Sequence, residues 1–261
     1  MEGATEVQAA GITEIDVDWV GGAVEVHPYD GDTIAISETA SKALTDRQKL
    51  RYTVKGNKLS ISYCEDTAHV WDWLDIDHLS MPAKTLTLQL PAGALLELEI
   101  NAVSAKVNVG GVAVDKLDVE SISGDVTVTD VSARKLDVQT TSGKAVVSGV
   151  DVTELDVEST SGNVNVTESR ADEVDVQTVS ARVELGLTVA PRKLELETVS
   201  GAATLTLPKD ATDFTVRVET VSGNFDCAFA AVQQKGVCVV GSGAYQYELT
   251  SVSGNLRIVA A

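Results

Sequence analysis

Carboxylates recur at fixed places through the middle of the chain. Five residues before the serines Ser123, Ser142, Ser161 and Ser180 stand Asp118, Asp137, Asp156 and Asp175. Three before the same serines stand Glu120, Gln139, Glu158 and Gln177. If the segments stack, these residues form two outward ladders, one all-acid and one alternating acid and amide. Like charges about 4.8 Å apart repel by roughly 1 kcal/mol in water. Alternation relieves this in the Glu120/Glu158 ladder, where amides can bridge carboxylates; Lys116, Lys135 and Lys193 flank the Asp ladder. Such a face could hold calcium, which takes several carboxylate and carbonyl oxygens, or a glycan. The usual calcium repeat GGxGxDxUx is absent. The plainer reading is a solvated face that blocks sideways aggregation. Paired acids on a coiled β-scaffold also resemble those of polysaccharide lyases and hydrolases. A catalytic site, however, breaks a repeat with a unique cluster, and here every repeat carries the same acids. The expectation is a protein that is not an enzyme, with a carbohydrate-active enzyme as the alternative.

One stretch stands apart: CEDTAHVWDWLDIDHLS, Cys64–Ser80. His69, Trp71, Asp72, Trp73 and Asp75 there could contact a partner or a glycan, the indoles stacking on sugar rings. His69 and His78 with the aspartates could also ligate a metal, although their spacing matches no known site. The alternative is a loop whose tryptophans close one end of the fold. No GxGxxG, P-loop or GxSxG motif occurs. Only three histidines exist, none within residues 79–261, so a Ser–His nucleophile in the repeat body is unsupported. No cofactor is expected, calcium being the one candidate.

Charge narrows the partners. The net charge of −19 repels phosphates, so no nucleic acid is expected as a partner, nor anionic lipid headgroups. Basic partners, cations and neutral glycans remain open. With 44% apolar residues the chain can bury a large core, but only 4% aromatic residues means Val, Leu, Ile and Ala must build it. No 18-residue apolar run occurs, so membrane insertion is not expected, and no secretory signal or anchor is read. Cys64, Cys227 and Cys238 lack a CxxC spacing; Cys227 and Cys238 could pair, or serve as small buried apolar residues.

The elements that must position the ladders follow from the repeat. LDVESISGDVTV, LDVQTTSGKAVV and LDVESTSGNVNV succeed one another every 19 residues. The serines of the SG or SA steps are Ser104, Ser123, Ser142, Ser161, Ser180, Ser200, Ser222 and Ser253. Positions six and four before, and three and five after, are apolar in every copy, as in Leu117, Val119, Val126 and Val128. Spacing of two means strands with one buried face. The burial phase slips at the SG step, which predicts a corner. Ser at that step, and the Ser/Thr two before it, are expected to point inward.

The fold class read from this is all-β, a single-stranded β-solenoid of eight or nine coils of 19–22 residues with an N-terminal β cap. An antiparallel meander would want Asn-Gly or Asp-Gly turns, which the repeats lack. Residues 1–94 are assigned to the cap, with one degenerate copy in IDVDWVGGAVEV (Ile15–Val26), a hairpin around Gly56-Asn57 and a strand in KTLTLQLPAG. Residues 95–261 form the body, with a closing hairpin near Gly236–Tyr247.

These repeated LDVxSxSGxVxV units, with IDVDWVGGAVEV and LQLPAG, resemble the DUF4097 family of bacterial β-strand-repeat proteins, to which an adhesin label is attached. The resemblance runs over about Ile12–Val259. It implies a β-solenoid, an extracellular or cell-envelope setting, and a partner or glycan of the envelope, and it defines no catalytic residues. The implied role is a non-enzymatic interaction module, with a structural or sensor spacer of an envelope-stress protein as a further alternative.

Overall fold

The computed structural model describes residues 5–65, 82–93, 96–234 and 236–261. Among these the regular structure is all strand. Neighbouring repeats pair in parallel and in register. Leu117 lies against Leu136, Leu136 against Leu155, and Leu155 against Val174. In the second arms, Val126, Ala145, Val164 and Val183 align in the same way. The chain is therefore a solenoid-like stack, and parallel pairing rules out the meander.

Alternation explains the burial. Leu117, Val119, Val126 and Val128 are fully buried, as are their counterparts through most of the stack. Each such side chain contributes about 1.5–3 kcal/mol by leaving water. A further buried line, Val112, Val131, Val150 and Ser169, closes the coil on a side that the two-arm pattern does not show.

The corner corrects one expectation. All eight SG and SA serines are exposed; only the Ser/Thr two residues earlier turns inward, at every copy that has one except Thr220. Ser121 Oγ donates to the Gly124 carbonyl at 2.8 Å, Thr140 Oγ1 to that of Gly143 at 3.1 Å, and Ser159 Oγ to that of Gly162 at 2.6 Å. The phase slips because two consecutive residues face out. Glycine follows them because of backbone approach: a Cβ on Gly143 would lie 1.9 Å from the Gly124 carbonyl oxygen, and one on Gly162 1.6 Å from that of Gly143.

Stacking order departs from chain order at both ends. Lys193–Thr198 pairs with Tyr245–Ser251, which in turn pairs with Phe214–Thr220. The last coil is thus intercalated beneath the one that precedes it. At the other end Glu14–Tyr29 pairs with Glu97–Gly110 on one side, and with Lys58–Ser62 and Lys84–Pro91 on the other. The last two segments are arms of one coil: Leu59 and Ile61 align with Ile15 and Val17, and Leu86 and Leu88 with Val24 and Val26.

Antiparallel strands occur at the ends, where they cover parallel edges that would otherwise offer unpaired backbone. Arg51–Lys55 forms the expected hairpin with Lys58–Ser62, and Thr33–Ala40 lies on Lys84–Pro91. At the far end Val237–Val240 pairs with Phe214–Thr220 and with Val232–Gln234, so the closing hairpin begins before the predicted stretch.

A buried cation ties the first end together. The Lys84 side chain is fully buried. Its Nζ donates to Glu38 Oε2 at 2.8 Å, to the Gln48 carbonyl at 2.7 Å and to the Tyr63 carbonyl. It lies 4.1 Å from the Tyr63 ring centroid and 5.0 Å from that of Trp19. Burial pulls its pKa down, and Glu38 opposes that pull.

Candidate binding groove

The first arms carry the outward ladders, and the registers set their order in space. The ladder of Glu120, Gln139, Glu158 and Gln177 extends in both directions. On one side it continues through Asn101, Asp18 and Ser62. On the other it continues through Glu197, Thr250 and Glu219. Acidic and neutral residues alternate without exception across these ten positions. In chain order the pattern fails, because Glu197 and Glu219 are successive; intercalation of the last coil puts Thr250 between them.

The neighbouring ladder explains the alternation. Asp16, Glu99, Asp118, Asp137, Asp156, Asp175, Glu195 and Glu248 occupy consecutive rungs, and each has a partner. Lysines serve every second rung: Lys58 reaches Asp16 at 3.3 Å, Lys116 reaches Asp118 at 3.0 Å, Lys135 reaches Asp156, and Lys193 reaches Glu195 at 3.3 Å. Amides serve the rungs between. Asn101 donates to Glu99 at 3.2 Å, Gln139 to Asp137 at 3.3 Å and Gln177 to Asp175 at 3.4 Å. Arg217 takes Glu248 at 3.1 Å. Gln139 and Gln177 thus reach across to the Asp ladder rather than along their own column, while Asn101 does both, donating also to Asp18 at 3.5 Å.

Four of the five acids of the alternating ladder are left over, Asp18 alone accepting from Asn101. Among the described residues Glu120, Glu158, Glu197 and Glu219 enter no ion pair or side-chain hydrogen bond. Burial raises the Glu120 pKa, and Asp118, Glu99 and Glu158 raise it further. Asp18, Asp137 and Asp175 are also raised, burial being the first cause in each.

A second column faces this ladder across the bend of the ribbon. It consists of the residue just before seven of the eight SG or SA serines: Val103, Ile122, Thr141, Thr160, Val179, Val199 and Val252. Ile122, Val179, Val199 and Val252 are each about half exposed, at 45%, 46%, 47% and 46%. Ladder and column form the walls of a groove of about 1060 Å³ running along the stack. Its lining carries Asp18, Glu99, Glu120, Glu158 and Glu197, with no lysine, arginine, histidine or aromatic residue among the described residues that line it. The repeat pattern does not reveal the apolar wall: an exposed valine next to a buried hydroxyl reads as noise in a period of two.

Among the described residues no group of three or more His, Cys, Asp or Glu gathers closely enough to hold a metal. His69, Trp71, Asp72, Trp73 and Asp75 lie outside the described residues. Cys238 is buried and its thiol is pushed up by burial and by neighbouring Cys227, so the two approach each other as thiols.

An all-β, solenoid-like stack with uniform outward ladders defines a repeat scaffold. The chain belongs to the family described as Toastrack DUF4097, whose model matches residues 12–259. A crystal structure from Parabacteroides distasonis called "putative lipid binding protein" has a TM-score of 0.63 at 17% identity, covering 97% of this chain and 95% of that one. A "putative adhesin" from the same species has a TM-score of 0.59 at 18% identity, with 98% and 96% covered. Another from Bacteroides fragilis has 0.55 at 14% identity, again with 98% and 96% covered. These likenesses concern the fold. None of the curated proteins matches the chain. No described helix is long and apolar enough to cross a membrane.

Proposed function

We propose that the protein is a non-enzymatic interaction module of the cell envelope or cell surface, and that the groove is where it meets its partner. It is a rigid stack of eight or nine coils whose end near residues 1–94 is closed by the antiparallel strands and the Lys84 cluster. The observation that carries this reading is the contrast between the two ladders. Every acid of the Asp ladder has a lysine, arginine or amide partner within the fold, whereas Glu120, Glu158, Glu197 and Glu219 of the alternating ladder have no side-chain partner among the described residues. A fold that needed acids only for solubility gains nothing from facing them with an apolar wall, and contiguous exposed apolar surface marks a binding site. The adhesin and lipid-binding names of the structural neighbours support a binding role and an envelope setting. Uniform rungs support recognition by many weak contacts along the rod.

The test is an array of envelope glycans, peptides and lipid vesicles, probed with the full chain, with and without calcium. Thr141→Lys with Thr160→Lys obstructs the groove and offsets two of its five negative charges. Loss of a wild-type hit in that variant supports the groove; retention of every hit refutes it. Trp71→Ala with Trp73→Ala, in parallel, reports any contribution of the stretch that carries His69, Asp72 and Asp75.

A further inference from the structure

The groove's geometry also points to the class of its occupant, an inference that rests on the reading above. The carboxylates of its alternating ladder stand on every second rung, Asp18, Glu120, Glu158 and Glu197, with neutral residues between; the fifth lining carboxylate, Glu99, belongs to the neighbouring ladder and accepts from Asn101. Rungs are about 4.8 Å apart, so the acids repeat about every 9.6 Å. An occupant lying along the groove meets negative charge at that period on one wall and a continuous line of β-branched side chains on the other.

We propose that the groove binds a polypeptide segment in the polyproline II conformation that carries lysine or arginine at every third residue. Three arguments converge. The first is period: this helix has three residues per turn and rises about 3.1 Å per residue, so a given face recurs about every 9.3 Å. Over the three turns from Asp18 to Glu197 the slip is about 1 Å, which flexible lysines absorb. A β-strand shows the same face about every 6.7 Å and falls out of step within one turn. The second is charge: the lining holds five carboxylates and no cation among the described residues. The third is the apolar wall. Prolines present a preformed apolar surface and lose little entropy on docking, which suits Ile122, Val179 and Val199. A sugar chain, by contrast, finds no aromatic ring to stack on among the described lining residues.

The experiment compares two labelled peptides of identical composition, (Lys-Pro-Pro)4 and its isomer with all four lysines contiguous, titrated into the full-length protein at low and at physiological salt. Three proteins are used. These are the wild type; Glu120→Gln with Glu158→Gln and Glu197→Gln; and a control with the same charge change elsewhere, Asp30→Asn with Glu184→Gln and Asp210→Asn. The substituted side chains are outward-facing, and circular dichroism confirms folding. The expected result is at least tenfold tighter binding of the periodic peptide than of its isomer to wild type. That preference is lost in the groove variant and kept in the control. Equal binding of the two peptides, or equal losses in both variants, overturns the proposal and leaves only general electrostatic attraction. If neither peptide binds while a polysaccharide or vesicle from the array does, and that hit is lost in the Thr141→Lys, Thr160→Lys variant, the occupant is wrong and the groove reading stands. If neither peptide binds and the array hits ignore the groove variant, both fail.

Discussion

Thr250 pairs in register with Glu197 on one side and with Glu219 on the other. Two acids that follow each other in the repeat series are therefore separated in space by a neutral rung, and that rung comes from the last coil of the chain.

Thr250→Glu would place a third carboxylate between two others. Each adjacent pair costs roughly 1 kcal/mol in water, so the variant should lose roughly 2 kcal/mol at low ionic strength. Salt should restore most of it. Urea denaturation at two salt concentrations checks this. No loss at low salt would mean the three residues are not neighbours.

Gly143→Ala tests the corner. Its Cβ would meet the Gly124 carbonyl oxygen at 1.9 Å, a clash with backbone rather than with a yielding side chain. A cost of about 1–3 kcal/mol follows. Ser142→Ala, one residue earlier on the exposed side, should change stability by less than about 0.5 kcal/mol. Denaturation midpoints of the two variants separate the roles of adjacent residues.

Lys84→Met removes the cation from beneath the Trp19 and Tyr63 rings and leaves the half-buried Glu38 without its partner. Breaking one side of such a pair costs about 3–5 kcal/mol. The double variant Lys84→Met, Glu38→Gln should recover part of the loss, as calorimetry would show.

Acidification should stabilise the fold. Asp18, Glu120, Asp137 and Asp175 have carboxyls raised above their ordinary range, by burial first and by like-charged neighbours next. A raised carboxyl binds its proton more readily in the folded chain than in the unfolded one. The stability it contributes is present below the unfolded pKa and is lost as pH rises through the folded pKa. The urea midpoint should therefore rise as pH falls from neutral toward the upper edge of the carboxylate range. A falling midpoint would show that attraction, not repulsion, dominates the acidic faces.

Much of this was legible in the residues. Leu117, Val119, Val126 and Val128 announce two arms because burial on one face imposes a period of two. The coil made by Leu59, Ile61, Leu86 and Leu88 was not legible, because an insertion parts its arms and spacing cannot bridge it. Nor was the intercalation. Tyr247 and Leu249 fit the template as well as Val216 and Val218 do, and a template cannot say which of them rests on Leu194 and Leu196. The acid alternation was visible from Glu120 to Gln177 and became complete only when the registers placed Thr250. The groove's apolar wall escaped because Ile122 and Val179 lie at the phase slip, where alternation carries no information.

The order of the rungs is what the groove's periodicity depends on, and oxidative cross-linking tests it most directly. In-register neighbours in a parallel pair lie within the Cα separation a disulfide spans, about 4.4–6.8 Å, whereas residues two rungs apart, at about 9.6 Å, do not. Cysteines introduced by Glu197→Cys with Thr250→Cys, and by Thr250→Cys with Glu219→Cys, should cross-link rapidly, while Glu197→Cys with Glu219→Cys should not. Rapid cross-linking of the last pair, with none in the first two, would show that the coils stack in chain order and would contradict the account.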